Sequence, residues 1–245
     1  MNALGVTPFS RGLEAWGRRL PAPRAFLVVS AHWETRGLAV TASAEPETIY
    51  DFGGFPEALY SIRYPAPGAP ELAREVVDLL AAAGMECAAD ERRGIDHGAW
   101  SPLLFLRGAA DIPVVQFSLD RERSLPELLE VGRALRPLRD RGVLILGSGN
   151  LVHNLRTVDF EDRDAPVESW ARQFDEWIRD RLLAWDLDAC VAPESGPNGR
   201  HAHPTREHYA PIVVVAGAAD PAPRVSFPWE GYEHATISMR CVQFD

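Results

Sequence analysis

Apolar residues fall along this chain in two kinds of run. Arg24 to Ser30 (RAFLVVS), Ile112 to Leu119 (IPVVQFSL) and Val143 to Leu146 (VLIL) are short, nearly continuous apolar stretches. Runs of that length without polar alternation predict strands buried on both faces. Leu38 to Ser43 predicts a partner strand for the first of them. Elsewhere the apolar positions recur every three or four residues. Glu71 to Ala83 puts Leu72, Val76, Leu79, Leu80 and Ala83 on one side and stops at Gly84, the pattern of an amphipathic helix with a glycine beyond its end. Ser124 to Arg139 opens with Ser124 and Glu127 at capping-box spacing. Val167 to Trp185 carries Trp170, Phe174, Trp177, Ile178 and Leu182 at helical spacing, a stripe that predicts core packing and not a cofactor box. Strand runs alternating with helices predict an α/β fold. We expect a single domain over residues 1–245, with a central, largely parallel or mixed sheet flanked by helices. From Val225 onward the pattern changes, and Thr236 to Val242 alternates. This tail predicts one or two extra C-terminal strands at a sheet edge.

Composition narrows the partners. At 245 residues the chain can bury a full core. Its net charge of −10 argues against nucleic acid or an anionic membrane surface as a partner. No lysine occurs, so every basic side chain is an arginine, which coding bias explains. Cys87, Cys190 and Cys241 are far apart and form no CxxC pair. This predicts a reducing, cytoplasmic setting and no thiolate metal site. Neither a signal peptide nor a membrane-spanning run is legible.

The chemistry lies in histidines. His32, His97, His153 and His208 sit in four separate, turn-rich segments, and His32 and His153 come shortly after strand runs. Side chains at the ends of neighbouring parallel strands converge on one crevice, and gathered imidazoles bind a metal or move protons. Each has a plainer reading. His32 reads as a metal ligand or as a hydrogen-bonded strand-end histidine. His97 follows Asp96, a good helix N-cap, and reads as a substrate-facing donor or as a loop residue packed on Trp100. His153 follows Gly147-Ser148-Gly149-Asn150, which lacks the lysine and spacing of a phosphate loop; its glycines suit close backbone approach. Pro204 suits the first turn of a helix, which would place His208 one turn in, with Glu207 as the alternative ligand. The pair His201 and His203 reads as solvent-exposed or as a second metal site, and His234 as a surface histidine. No GxSxG elbow and no HExxH helix is present. Asp51 to Gly68, rich in Gly, Pro and aromatics, is too long for a simple connection and could wall a pocket for a flat ligand. Arg63, Tyr64 and Arg206 could meet a substrate carboxylate or serve as surface pairs.

Taken together, SAHWETRG, TIYDFGGFPEALYSIRYPAPG, DHGAWSPL, DIPVVQFSL, GVLILGSGNLVHNLR and HPTREHYAPIVVVAGAA resemble the class III extradiol ring-cleavage dioxygenases, in their DOPA 4,5-dioxygenase-like branch. The resemblance runs the length of the chain. It implies a mononuclear non-haem metal, Fe(II) in active forms and Zn(II) in some isolated protein, that inserts O2 into a small catechol. Carried over, His32 and His208 resemble metal ligands, His153 a further ligand or the catalytic base, and His97 an acid/base beside the substrate. The family opens with a strand ending in His-Gly-Ser-Pro-Met, whose histidine is a ligand; Met1-Asn2-Ala3-Leu4 resembles only the residues just after that motif. Either the protein is longer at its start, or its site lacks that ligand. The rival readings are a Zn-dependent hydrolase on the same site and a non-catalytic homologue with an incomplete one. Oligomeric state is open.

Overall fold

The continuous apolar runs are strands because both of their faces are covered. In the computed structural model, which describes residues 2–245, β1 (Ala25–Thr35) starts with five fully buried residues. Leu27 and Val29 point into one core, and Phe26 and Val28 into another on the opposite face. Each such side chain contributes about 1.5–3 kcal/mol when fully buried. β2 (Leu38–Thr41), β3 (Cys87–Asp90), β4 (Val114–Asp120) and β5 (Val143–Ser148) complete a five-stranded sheet in the order β3-β2-β4-β1-β5. β1 runs parallel to β4 and β5, and β2 parallel to β3, while β2 meets β4 antiparallel at Val40 and Phe117. The sheet is therefore mixed, and β2 pairs with β4 and β3 instead of with β1.

The first helices are α1 (Pro8–Arg19), α2 (Glu57–Tyr60), α3 (Pro70–Ala82), α4 (His97–Leu106) and α5 (Leu125–Leu135). After them come α6 (Pro137–Asp140), α7 (Ser169–Leu183), α8 (Leu187–Cys190), α9 (Gly199–Ala202) and α10 (Ala210–Ala218). Leu72 and Val76 of α3, Leu128 of α5, Phe174 of α7 and Val213 of α10 share a core with Leu27 and Val29. Trp100 and Leu103 of α4 cover the other face with Tyr64. The capping box at Ser124 and Glu127 is formed, and the Trp-bearing stripe of α7 packs on the core as expected.

The extra C-terminal strands are β6 (Val225–Trp229), β7 (Tyr232–Glu233), β8 (Ile237–Ser238) and β9 (Cys241–Phe244). They pair with one another, β6 with β9 and β7 with β8, both antiparallel. The alternating run breaks between β8 and β9 because Arg240 turns inward to Asp175, which also accepts from Ser238 and Tyr232. β5 thus ends the five-stranded sheet, and along its outer edge runs a cavity of about 730 Å3 bordered on the far side by β9. The expected domain begins at Met1, which lies outside the described residues.

Candidate active site

One end of that cavity opens on histidines. His32, His97 and His208 line it beside Ser148 and Asn150. The strand run that predicted His32 just beyond its end continues to Thr35, so His32 lies within β1. Its register shifts between Val29 and Glu34. There the uniform burial gives way to alternation, with Ala31 and Trp33 inward and His32 outward.

His97 is the first residue of α4, and Asp96 caps that helix by accepting from the Ala99 amide at 3.3 Å. Asp96 is fully buried and well partnered. Its carboxylate accepts from Ser30 (2.8 Å), Gln116 (2.9 Å) and Arg93 (3.0 Å). Ser30 Oγ in turn accepts from the His32 amide at 3.1 Å. This network ties the end of β1 to the start of α4 and sets His32 against His97, with ring centroids 3.9 Å apart. Gly98 permits the approach, since a Cβ there would fall 2.2 Å from Ser30 Oγ and 3.0 Å from the His32 ring.

His208 arrives differently from its sequence expectation. It stands in a turn ahead of α10, not one turn inside a helix started by Pro204. Pro211 is the proline that occupies the first turn of α10, where its missing N–H is not needed. The guanidinium of Arg206 holds the turn by donating to the carbonyls of Asp120, Arg121 and Arg123. The glycines after β5 work as expected, because a Cβ on Gly149 would lie 2.1 Å from the His208 carbonyl. The Asn150 amide donates to that same carbonyl at 3.0 Å. Glu207, the alternative ligand, is bonded to His208, whose Nδ1 lies 3.0 Å from Glu207 Oε1.

The imidazoles form a row. His32 meets His208 edge to face at 5.0 Å, and His208 stacks on His153 at 3.5 Å with the planes 5° apart. The described residues contain two groups with metal-ligand spacing, His32 with Asp51 and His97, and His153 with Glu207 and His208. Burial, reinforced by the neighbouring imidazoles, lowers the pKa of His32 to about 4 and that of His153 to about 3. Both rings are therefore neutral at ordinary pH. The hydrogen bond from His208 lowers Glu207 to about 2, against its own burial. Burial alone would raise Asp51, but hydrogen bonds from the His97 ring and amide outweigh it and hold the carboxyl below its usual range.

The remaining candidates lie elsewhere. His203 is half-buried on Phe174 and Tyr209 with Nε2 at 2.7 Å from the Leu151 carbonyl, while His201 packs on Trp170, so the two do not form a pair. His234 bonds the Asp159 carbonyl. Tyr64 is buried and donates to the Arg107 carbonyl, Arg206 is engaged with the three carbonyls after β4, and Arg63 is exposed. The 51–68 loop reaches the histidine row but contributes no lining to the cavity: Phe52 meets His97 edge-on at 5.4 Å, and Tyr60 lies against Phe52. Nothing in its local pattern marks Asp51, the acidic residue that opens this loop; an acid leading an aromatic run toward a histidine is the only signal the sequence offers.

A row of imidazoles at one end of a mixed α/β sheet offers the donors of a metal centre. The chain belongs to the LigB family: the family model described as the catalytic LigB subunit of aromatic ring-opening dioxygenase matches residues 6–244. It is 42% identical over 247 residues to a 4,5-DOPA dioxygenase extradiol of Escherichia coli (strain K12), covering 99% of this chain and 90% of that protein. A 4,5-DOPA dioxygenase extradiol of Beta vulgaris is 41% identical over 91% of this chain and 85% of its own length. A crystal structure of an uncharacterized protein from Escherichia coli K12 superposes with a TM-score of 0.85 at 38% identity, covering 99% of this chain and 94% of that one. The chain is thus an extradiol, aromatic ring-opening dioxygenase, and the comparisons do not favour the hydrolase or the non-catalytic reading. Dioxygenases of this family use a non-haem metal.

Proposed function

We propose that the chain, as one catalytic domain, opens the ring of a DOPA-like catechol with O2 at a single Fe(II) held by His32 and His208. The observation that carries this reading is the row of four rings, His97, His32, His208 and His153. The donor set fits a divalent first-row metal: imidazoles, one of them oriented through Nδ1 by a carboxylate. His32 and His208 cross at 85° with centroids 5.0 Å apart, each in one of the two groups with metal-ligand spacing. His153 and His208 are nearly parallel. Two nearly parallel rings with centroids 3.5 Å apart point their nitrogens side by side and not at one another's target. Of the two roles expected for His153, this supports the base over the ligand. Bound Fe(II) supplies the electron-transfer chemistry that lets O2 react with a catechol.

The protein's own groups do the rest. His97 and His153 flank the proposed ligands and carry protons. Phe52 and Tyr60 offer ring faces and edges to a flat substrate. The 4,5-DOPA dioxygenase names of the Escherichia coli and Beta vulgaris relatives support the choice of substrate. Three free cysteines support a reducing, cytoplasmic setting, and among the described residues no helix is long and apolar enough to cross a membrane. The test is anaerobic loading with Fe(II), then DOPA in air. Oxygen uptake with a yellow semialdehyde product is expected; loading without uptake for DOPA or any simple catechol would overturn the proposal.

A further inference from the structure

Asp51 lies 46 positions before His97 in sequence and directly against it in space. Its Oδ1 accepts two hydrogen bonds from that one residue, from the His97 amide at 3.0 Å and from ring Nδ1 at 2.8 Å. An ionised carboxylate can only accept, so the proton shared on this contact belongs to the imidazole. The ring is also fixed from other sides. Its Cα begins a helix capped by the buried Asp96, Phe52 stands perpendicular to it, and His32 packs on it. The other carboxylate oxygen of Asp51 is 3.9 Å from His32 Nδ1, too long for a hydrogen bond. The His97 ring lines the cavity, and its Nε2 has no hydrogen-bond partner among the described residues.

We infer that Asp51 is a positioning residue that holds the proton on His97 Nδ1 and so turns Nε2, as the exchanging nitrogen, toward the substrate. This rests on the proposed reaction. Proton exchange with the substrate then runs through Nε2. A substrate O–H bond breaks, its proton joins Nε2, and the electron pair stays on the substrate oxygen. Nδ1–H remains donated to Asp51, whose charge now faces an imidazolium. The same proton is later returned to an oxygen of the product, leaving the ring as it began. A carboxylate that holds Nδ1–H orients the catalytic histidine of hydrolase triads in the same way, although Asp51 is exposed where that acid is buried.

Asp51→Asn tests this, because an amide keeps the size of the side chain but can turn its NH2 toward the ring and accept the opposite tautomer. Nitrogen-15 NMR of the metal-free protein is expected to show His97 protonated on Nδ1, and the variant is expected to lose that preference. With Fe(II) and DOPA, the variant's kcat should fall about 100-fold, with KM and Fe(II) affinity within roughly threefold of the parent. Asp51→Leu, which offers the ring no partner, should match or exceed that loss, and its Tm reports folding separately. An Nε2–H tautomer in the parent protein, or an unchanged kcat in Asp51→Asn, would overturn the inference. So would loss of Fe(II) binding in that variant, which would make Asp51 a metal ligand. The NMR measurement needs neither metal nor turnover, so a parent enzyme that fails to open DOPA would sink the proposed function and leave the tautomer result standing.

Discussion

His97 and His208 stand on either side of His32 and are held in the same way, each with Nδ1 against a carboxylate. They differ in where that carboxylate comes from. Glu207 is the neighbouring residue, in a turn clamped by Arg206. Asp51 reaches His97 from a distant loop whose Phe52 stands edge-on to the same ring. The first pair is built into the local chain and suits a ligand that must not move. The second exists only when the loop is seated, so the loop that carries Phe52 also aims the proton carrier.

The largest way to break this comparison is to remove each ring in turn. His208→Ala should abolish Fe(II) retention and, with it, detectable turnover, whereas His97→Ala should keep its iron and lose about 10²–10⁴-fold in kcat. Metal analysis beside initial rates decides; iron loss from both variants would erase the distinction between ligand and proton carrier. A smaller effect is expected at the local carboxylate. Glu207→Gln should weaken Fe(II) affinity about 10–100-fold, the usual cost of removing a group that orients a ligand, as tracked by titration with a competing chelator. Affinity equal to the parent would mean that the turn alone orients His208.

The smallest effect concerns stability against pH. His32, His153 and His203 have pKa values of about 4, 3 and 4 in the folded chain, against 6.5 without burial. Below pH 6.5 the unfolded chain takes up protons that the folded one refuses. Their stabilising contribution is thus complete above 6.5 and falls away toward 4. The Tm of metal-free protein should decline through that window, and saturating Fe(II) should raise it throughout by binding only the folded form. Glu207, held at about 2 against 4.5, adds a loss that sets in only below 4.5, and Glu207→Gln should remove that part alone. A Tm independent of pH between 6.5 and 4 would contradict the burial of these rings.

Much of this was legible in the sequence, for physical reasons. RAFLVVS and IPVVQFSL stand out because β1 and β4 are covered on both faces, leaving no polar position to blur the run. His32, His97, His153 and His208 stand out because strand ends and helix starts carry few other groups able to bind a metal. What escaped depended on distant contacts. Pro204 and Pro211 look alike locally, and the choice between them as helix starter is made by Arg206 reaching the carbonyls after β4. Leu38 to Ser43 looks like a partner for β1, but its strand, Leu38–Thr41, pairs with β4 and β3. Asp51 gains its meaning only from a histidine in another segment.

The outer margin of β5 has a practical side. Among the described residues, Val143 to Ser148 has a strand neighbour on one flank only, and Leu144, Ile145 and Leu146 beside the open flank are only partly covered. An uncovered, apolar sheet margin templates foreign extended chain. Refolding at high protein concentration should therefore seed clumping from this margin first, so dilution governs how much dispersed protein is recovered.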